Sequence, residues 1–348
     1  MRITFLVNDV ATEVPPATST ILARAAVRAG HTVHVMGLDQ LTYLPDGRIA
    51  GTAVIPPSNS RSKETFLAAL QEKDAPRERI TSDDMDVLWL RYNPSEELER
   101  ERHWARDAGF LFGRLAMERG VIVLNHPDTL AYAMDKLYFQ HFPEEVRPVT
   151  LVTREIDEVR RFYEDRGRKI VLKPLSGYGG ADVFLVEKDA TNLNQMVEAI
   201  MRSGFVMAQE FIPAASRGDT RFFMVNGEPL EVDGHVAALQ RVNSTDDFRA
   251  NMTAGARPKR ARVTDRMLEL ASIVGPKLKR DGIFFAGLDI VGDRIVEINT
   301  ISTGGLNVTS ELEGVEFAPE VIRLIERKVE IRRRYGGHIS NIELATMR

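Results

Sequence analysis

Apolar and polar positions along the chain follow two periods that trade places. Arg2–Asn8 contains the apolar run Ile3-Thr4-Phe5-Leu6-Val7, which predicts a buried strand. From Thr18 to Ala29 the residues Ile21, Leu22, Ala25 and Ala26 share one helical face, and Gly30 supplies a stop. Thr32–Met36, Val87–Leu90 and Val121–Asn125 predict further strands, with a helix over 97–119 before the last of them. Strands alternating with helices predict a parallel α/β domain that ends near residue 125. The stretch 56–84 carries few large apolar residues and reads as a long excursion or mobile loop.

Beyond it, the pattern predicts a helix at 156–164, a strand ending at Lys173, a strand at 181–186 and a helix at 193–203. Phe205–Ile212 predicts a strand that meets Pro213. Antiparallel pieces follow at 221–225 and 231–242, around an Asn226-Gly227 turn. Met267, Leu270, Ile273, Val274 and Leu278 form the stripe of a helix over 262–280, with Thr264 as N-cap and Gly282 past its end. A last helix spans about 319–335; its Arg332-Arg333-Arg334 reads as a solvated face, and the last dozen residues are expected to be disordered. The divisions predicted are 1–125, 126–204, 205–335 and a tail at 336–348.

Length and composition narrow the class. At 348 residues, 43% hydrophobic and 28% charged, the chain has material for two or three soluble domains. A net charge of −4 argues against nucleic-acid binding by bulk charge. No apolar stretch near Met1 is long enough for a signal peptide or membrane span. There is no Cys, which removes thiolate nucleophiles and Cys-based zinc sites and fits a cytoplasmic protein. The scattered His residues predict no metal site.

Candidate chemistry begins at Lys173. The run Ile170-Val171-Leu172-Lys173 leads into Gly177-Tyr178-Gly179-Gly180, a strand delivering an ammonium to a loop whose backbone can approach a phosphate. A surface hairpin with an incidental Lys is the plain alternative. Phe284–Asn299 then reads as a β-hairpin. With a three-residue turn at 292–294, Asp289 lies opposite Glu297, and Asn299 shares their face. Leu288, Ile290, Val296 and Ile298 point the other way. Two facing carboxylates repel unless neutralised, and oxygen ligands of this kind suit Mg²⁺; a solvated face with coincidental acids is equally open. No G-x-x-x-x-G-K-[ST], no G-x-G-x-x-G after the first strand and no protein-kinase motif set is present.

Taken in order, Met134-Asp135-Lys136, the Lys173–Gly180 loop, Gln209-Glu210-Phe211-Ile212-Pro213-Ala214, Gly218-Asp219-Thr220-Arg221, Arg249-Ala250-Asn251 and Gly287-Leu288-Asp289…Glu297-Ile298-Asn299 resemble the ATP-grasp superfamily. Within it the chain is most similar to the bacterial glutathione synthetases, from the first strand to about residue 330. The resemblance implies an α/β fold: a Rossmann-like pre-ATP-grasp domain, then a two-part ATP-grasp module that holds ATP between two sheets. It implies that Lys136, Lys173, Gly177, Tyr178, Gly179 and Gly180 serve the phosphates. Gln209, Glu210, Phe211 and Ile212 would border adenine, and Asp219 would accept from the ribose. Asp289, Glu297 and Asn299 would hold Mg²⁺ or Mn²⁺. Arg221, Arg241 and Arg249 would face the reacting carboxylate and its phosphate. Asn251 with the 251–256 loop, Ser302, Thr303, Gly304 and Gly305 would border substrate.

The activity so implied joins a carboxylate to an amine through an acyl phosphate, with γ-glutamylcysteine, glycine and ATP as substrates, in a cytoplasmic homo-oligomer (dimer or tetramer) without nucleic-acid or membrane partners. A mobile loop at 245–255 is expected to exclude water from that intermediate. Departures fall on the substrate side. Thr300-Ile301-Ser302-Thr303-Gly304-Gly305-Leu306-Asn307 replaces a Thr-Ser-Pro-Thr-like run, Arg91-Tyr92-Asn93-Pro94 replaces Arg-Lys-Asp-Pro-Pro, and Arg221 and Arg241 stand several residues further apart. A related ligase with another carboxylate or amine, a phosphotransferase releasing the acyl phosphate, and a non-catalytic nucleotide-binding protein are the alternatives.

Overall fold

The first strand enters the interior at once: every residue from Ile3 to Val7 is buried. The structure, a computed structural model, describes residues 1–14, 17–177, 181–188, 191–243 and 256–348. In the first region β1 (Arg2–Val7), α1 (Thr18–Arg28), β2 (Thr32–Gly37), β3 (Thr42–Tyr43), β4 (Ile49–Val54), α2 (Lys63–Gln71), β5 (Arg77–Thr81), β6 (Val87–Leu90), α3 (Pro94–Glu99), α4 (Ala108–Glu118) and β7 (Ile122–Leu124) follow in order. α1 ends as its sequence suggests: Gly30 takes φ +79°, its N–H donates to Val27 O and that of His31 to Ala26 O, satisfying the last carbonyls.

The sheet runs β3-β4-β2-β1-β6-β7. β2, β1, β6 and β7 are parallel, whereas β4 pairs antiparallel with β2, β3 and β5, so the sheet is mixed rather than all-parallel. The expected excursion at 56–84 is ordered structure. A capping box between Ser62 and Thr65 starts α2, which buries Phe66, Leu67 and Leu70, and β5 pairs along β4. The helix expected over 97–119 is broken into α3, a 3-10 turn at His103–Ala105 and α4.

After α5 (Pro127–Tyr132), the middle region holds β8 (Thr150–Thr153), α6 (Ile156–Asp165), β9 (Ile170–Pro174), β10 (Phe184–Val186), α7 (Leu193–Met201) and β11 (Val206–Glu210). Its sheet, β10-β9-β11-β8, has its own small core of Val159, Leu172, Val197, Ile200 and Val206.

The third region contains β12 (Asp219–Val225), β13 (Glu228–Pro229), β14 (Glu231–Val232), β15 (His235–Val236), β16 (Ala238–Val242), β17 (Arg257–Arg260), α8 (Asp265–Arg280), β18 (Phe285–Val291), β19 (Arg294–Asn299), α9 (Leu306–Glu313), α10 (Ala318–Tyr335) and α11 (Asn341–Thr346). The strand expected over 231–242 is interrupted by a tight turn at Asp233-Gly234, both at positive φ. Its main sheet runs β17-β16-β12-β18-β19. Thr264 Oγ1 accepts from Met267 N and caps α8 as predicted.

This region does not stand apart from the first. Trp89 of β6 packs edge-on against Phe284 and Phe285 at 5.6 and 6.1 Å between ring centroids, inside one continuous core. Buried Asn125 strengthens the joint: its amide donates to the carbonyls of Phe285 and Thr300 and accepts from Phe285 N. The end of the chain, expected to be disordered, is folded. Asn341 accepts from Val123 N at 2.8 Å and donates to Val123 O at 2.9 Å, closing the edge of β7 with a side-chain amide. Behind it, fully buried Lys328 donates to Asn226 Oδ1 and Met347 O.

Candidate active site

The β18–β19 hairpin carries the first half of the site. Asp289 does lie opposite Glu297, but by a different route from the one expected: the turn has two residues, Gly292 and Asp293, and an irregularity between Asp289 and Ile290 absorbs the extra residue. Val296 thereby leaves the apolar face and joins the cleft lining. Leu288 and Ile290 stay in the core.

Antiparallel register sets the partners of Asp289. Arg221 of β12 stands across from Asp289, and Arg241 of β16 across from Asp219. Arg221 grips both oxygens of Asp289, with Nη2 at 3.0 Å from Oδ2. Arg241 is bidentate to Asp219 at 2.7 and 2.5 Å and reaches Asp289 Oδ2 at 2.9 Å. Asn299 Nδ2 donates to the same Oδ2 at 3.2 Å. Two acids and two arginines thus alternate in one buried quartet. Burial alone would push Asp289 up; Arg221 and Arg241 overcome it and hold the carboxyl well below the usual range. Asp219 is pushed up to about 6 by burial and by Asp289, against the pull of Arg241.

The second half comes from the middle sheet. Lys173, near the end of β9, and Lys136, at the first turn of a 3-10 helix capped by Asp135, line an open cleft together with Gly177, Gln209, Glu297 and Asn299. Lys136 Nζ donates to Gly177 O at 2.9 Å. Burial lowers Lys173 to about 8, with Glu297 opposing the shift and Lys136 adding to it. Burial also lowers Lys136, again with Glu297 opposing. Two cations and one carboxylate therefore face one space, an arrangement that can grip a polyphosphate and its counter-ion.

Other expected residues lie elsewhere or do other work. β11 stops at Glu210, whose Oε1 accepts from Val149 N, so Phe211 and Ile212 lie past the strand; Lys169 Nζ sits 4.2 Å from the Phe211 ring centre. Asp219 was expected at a ribose, yet both its oxygens are engaged by Arg241. Ser302, at φ +45°, donates to Arg91 O, Thr303 donates to Asn299 O, and Gly304 O accepts from Arg221 Nη1. Gly305, at φ +100°, precedes α9. Tyr178, Gly179, Gly180, Arg249, Asn251 and the 245–255 loop lie outside the described residues. Sequence reasoning passed over Met207 and Tyr138 in the cleft wall, and met Asn93 only within the changed Arg91-Tyr92-Asn93-Pro94 segment; alternation along β11 was the one available signal for Met207. Among the described residues, no group of three or more His, Cys, Asp or Glu could hold a metal by itself.

Residues 1–131 match the family model of the prokaryotic glutathione synthetase N-terminal domain, and residues 135–314 that of the prokaryotic glutathione synthetase ATP-grasp domain. The glutathione synthetase of Yersinia pestis is 34% identical over 293 residues, covering 82% of this chain and 84% of that protein. That of Thermosynechococcus vestitus is 30% identical over 334 residues, 92% and 98% of the two chains. The fold is that of solved ATP-grasp ligases. The ligase PsnB, complexed with a precursor variant, Mg and ADP, superposes with a TM-score of 0.59 at 17% identity over 94% of this chain and 98% of its own. D-cycloserine synthetase DcsG gives 0.59 at 15% identity, over 92% and 99%.

Proposed function

Because the chain belongs to the prokaryotic glutathione synthetase family, we propose that its cleft joins γ-glutamylcysteine to glycine at the expense of ATP. The class is an ATP-dependent ligase forming a C–N bond. The observation that supports the reading best is the convergence of Lys136 and Lys173 from one side, and of Glu297 and Asn299 from the other, on a single cleft, with Asn299 hydrogen-bonded to the arginine-bound Asp289.

In this reading the substrate carboxylate attacks the γ-phosphorus of ATP, ADP leaves, and the amine then displaces phosphate from the acyl carbon. Negative charge builds on phosphoryl oxygens in the first step and on a tetrahedral oxygen in the second. Lys136 and Lys173 hold the phosphates in line; Arg221 and Arg241 supply fixed positive charge where the carboxylate is activated. No protein nucleophile is needed, in keeping with a chain that has no Cys. Asp289, Glu297 and Asn299 offer oxygens only, a donor set that fits Mg²⁺ or Mn²⁺. When bound, such an ion would neutralise phosphate charge. The cytoplasm and a homo-oligomer are the proposed setting; light scattering reads the second.

The test is ADP release with Mg-ATP across γ-glutamylcysteine alone, glycine alone, both, and substitute dipeptides and amines, with product mass determined. Turnover that requires γ-glutamylcysteine plus glycine and yields the mass of glutathione supports the reading. Turnover only with another pair moves the function to a related ligase, and ADP release without any amine moves it to a phosphotransferase.

A further inference from the structure

A second crevice opens where α1 and α10 pack together, walled by the C-terminal half of α9 and by the capped start of α2; none of its residues lines the cleft described above. Its floor is apolar. Ile21 and Ala25 stand one turn apart on α1, Ala318 and Ile322 one turn apart on α10, and Val315 lies between the two helices in sequence and in the floor.

The rim is charged, with Arg24, Arg28, Arg61, Lys63 and Arg323 facing Glu64, Glu311, Glu316 and Glu326. Part of that charge is already matched. Lys63 is paired with Glu311 and donates to Asn307 Oδ1 at 3.1 Å, Arg323 is bidentate to Glu320 at 2.7 and 2.6 Å, and Glu326 meets His31 at 2.6 Å.

What stays unmatched is guanidinium. Arg24 donates to Ser60 Oγ and to Arg61 O, each at 3.2 Å, and both acceptors are neutral. Arg28 reaches only Glu316, exposed and 4.0 Å away. Among the described residues the Arg61 guanidinium has no hydrogen-bond or ion-pair partner. Burial and the neighbouring Arg28 lower Arg24, with Glu316 and Glu64 opposing. Like charges at i and i+4 disfavour a helix, yet α1 keeps Arg24 and Arg28 together beside an open apolar floor. A merely solvated helix face needs neither the like-charged pair nor the floor. An apolar recess with a few convergent polar groups is the lining of a ligand site.

Three unmatched guanidiniums call for more than one negative charge, and their planar forks match phosphate oxygens two at a time. We propose that the α1–α10 crevice binds a phosphate monoester with an apolar body, its phosphate held by Arg24, Arg28 and Arg61 and its body lying over Ile21, Ala25 and Ile322. The site is independent of the ligase reading. It is joined to the reaction centre by α9, which begins at Leu306, two residues past the Gly304 carbonyl that Arg221 holds.

The experiment is isothermal titration of the full chain with phenyl phosphate, inorganic phosphate and benzyl alcohol. Phenyl phosphate is expected to bind at least about tenfold more tightly than either of the others, because only it offers both the dianion and the ring. That binding should survive Lys173→Met, which removes a cation from the cleft, and weaken about tenfold in Arg24→Gln and in Arg28→Gln. Arg28 donates no hydrogen bond that the fold uses, so Arg28→Gln is expected to keep the wild-type urea midpoint and reads binding apart from folding. Binding that Lys173→Met abolishes and Arg28→Gln leaves intact belongs to the cleft and overturns the proposal. Equal affinity for inorganic phosphate, or no heat with phenyl phosphate, overturns it too.

Discussion

Asp289 and Glu297 face each other across one hairpin, yet they keep opposite company. Asp289 is held by Arg221, Arg241 and Asn299, while Glu297 looks across the cleft to Lys136 and Lys173. One acid organises the floor of the site; the other meets whatever enters it.

Substitution should separate these roles. Glu297→Gln removes a carboxylate from the cleft without unpairing any buried arginine, so activity with Mg-ATP should fall by about 10²-fold or more while the urea midpoint stays near wild type. Asp289→Asn leaves two buried guanidiniums short of charge and should cost about 3 kcal/mol of stability besides the activity. Equal loss of stability in both variants would contradict the assignment.

Lys173 gives the ATP site a pH dependence. Its pKa is lowered to about 8 by burial, and phosphate binding favours the protonated form. Below about 8 the ammonium is present; above it the charge is lost. KM for ATP should therefore rise about tenfold between pH 7 and pH 9, and Lys173→Met should be weak at both values with no such rise.

Lys328 sets a second, purely structural dependence. It donates to two neutral oxygens, stacks 4.9 Å from the Phe284 ring, and is lowered by burial to about 7. Unfolded, it titrates near about 10.4, so between these values the unfolded chain binds more protons and stability rises with pH. The penalty is full below about 7. Relative to Lys328→Met, wild type should gain stability from pH 7 to 9.5, by at most about 1.4 kcal/mol per pH unit; parallel curves for the two proteins would refute this.

Asn341 is expected to matter although it lies far along a segment thought to be loose. Asn341→Ala leaves the N–H and C=O of Val123 unpaired in the interior, a loss of about 2 kcal/mol or more, readable as a lowered urea midpoint with unchanged KM for ATP.

The parts legible in sequence were those where one face decides the outcome. Alternation placed Asp289, Glu297 and Asn299 together because Leu288, Ile290 and Ile298 had to face inward. The strands β1, β2, β6 and β7 announced themselves as apolar runs. What escaped notice had weaker local signals. α2 rests on three buried residues and a Ser62/Thr65 cap inside a polar stretch, and α11 is fixed by a side-chain amide on a distant strand edge. Arg91 stood out in sequence only as part of the changed Arg91-Tyr92-Asn93-Pro94 segment; the packing of Trp89, Phe285, Ser19 and Thr303 around it is visible in the structure alone.

The quartet of Asp219, Asp289, Arg221 and Arg241 sums to no net charge. Its contribution to the long-range potential of the cleft is therefore small, and the pull on a distant polyanion falls to Lys136 and Lys173, partly offset by Glu297. Capture of the nucleotide should then respond to ionic strength as a site with one excess cation, shallow in its salt dependence. The stronger fields stay local, bound up in short contacts that salt does not reach.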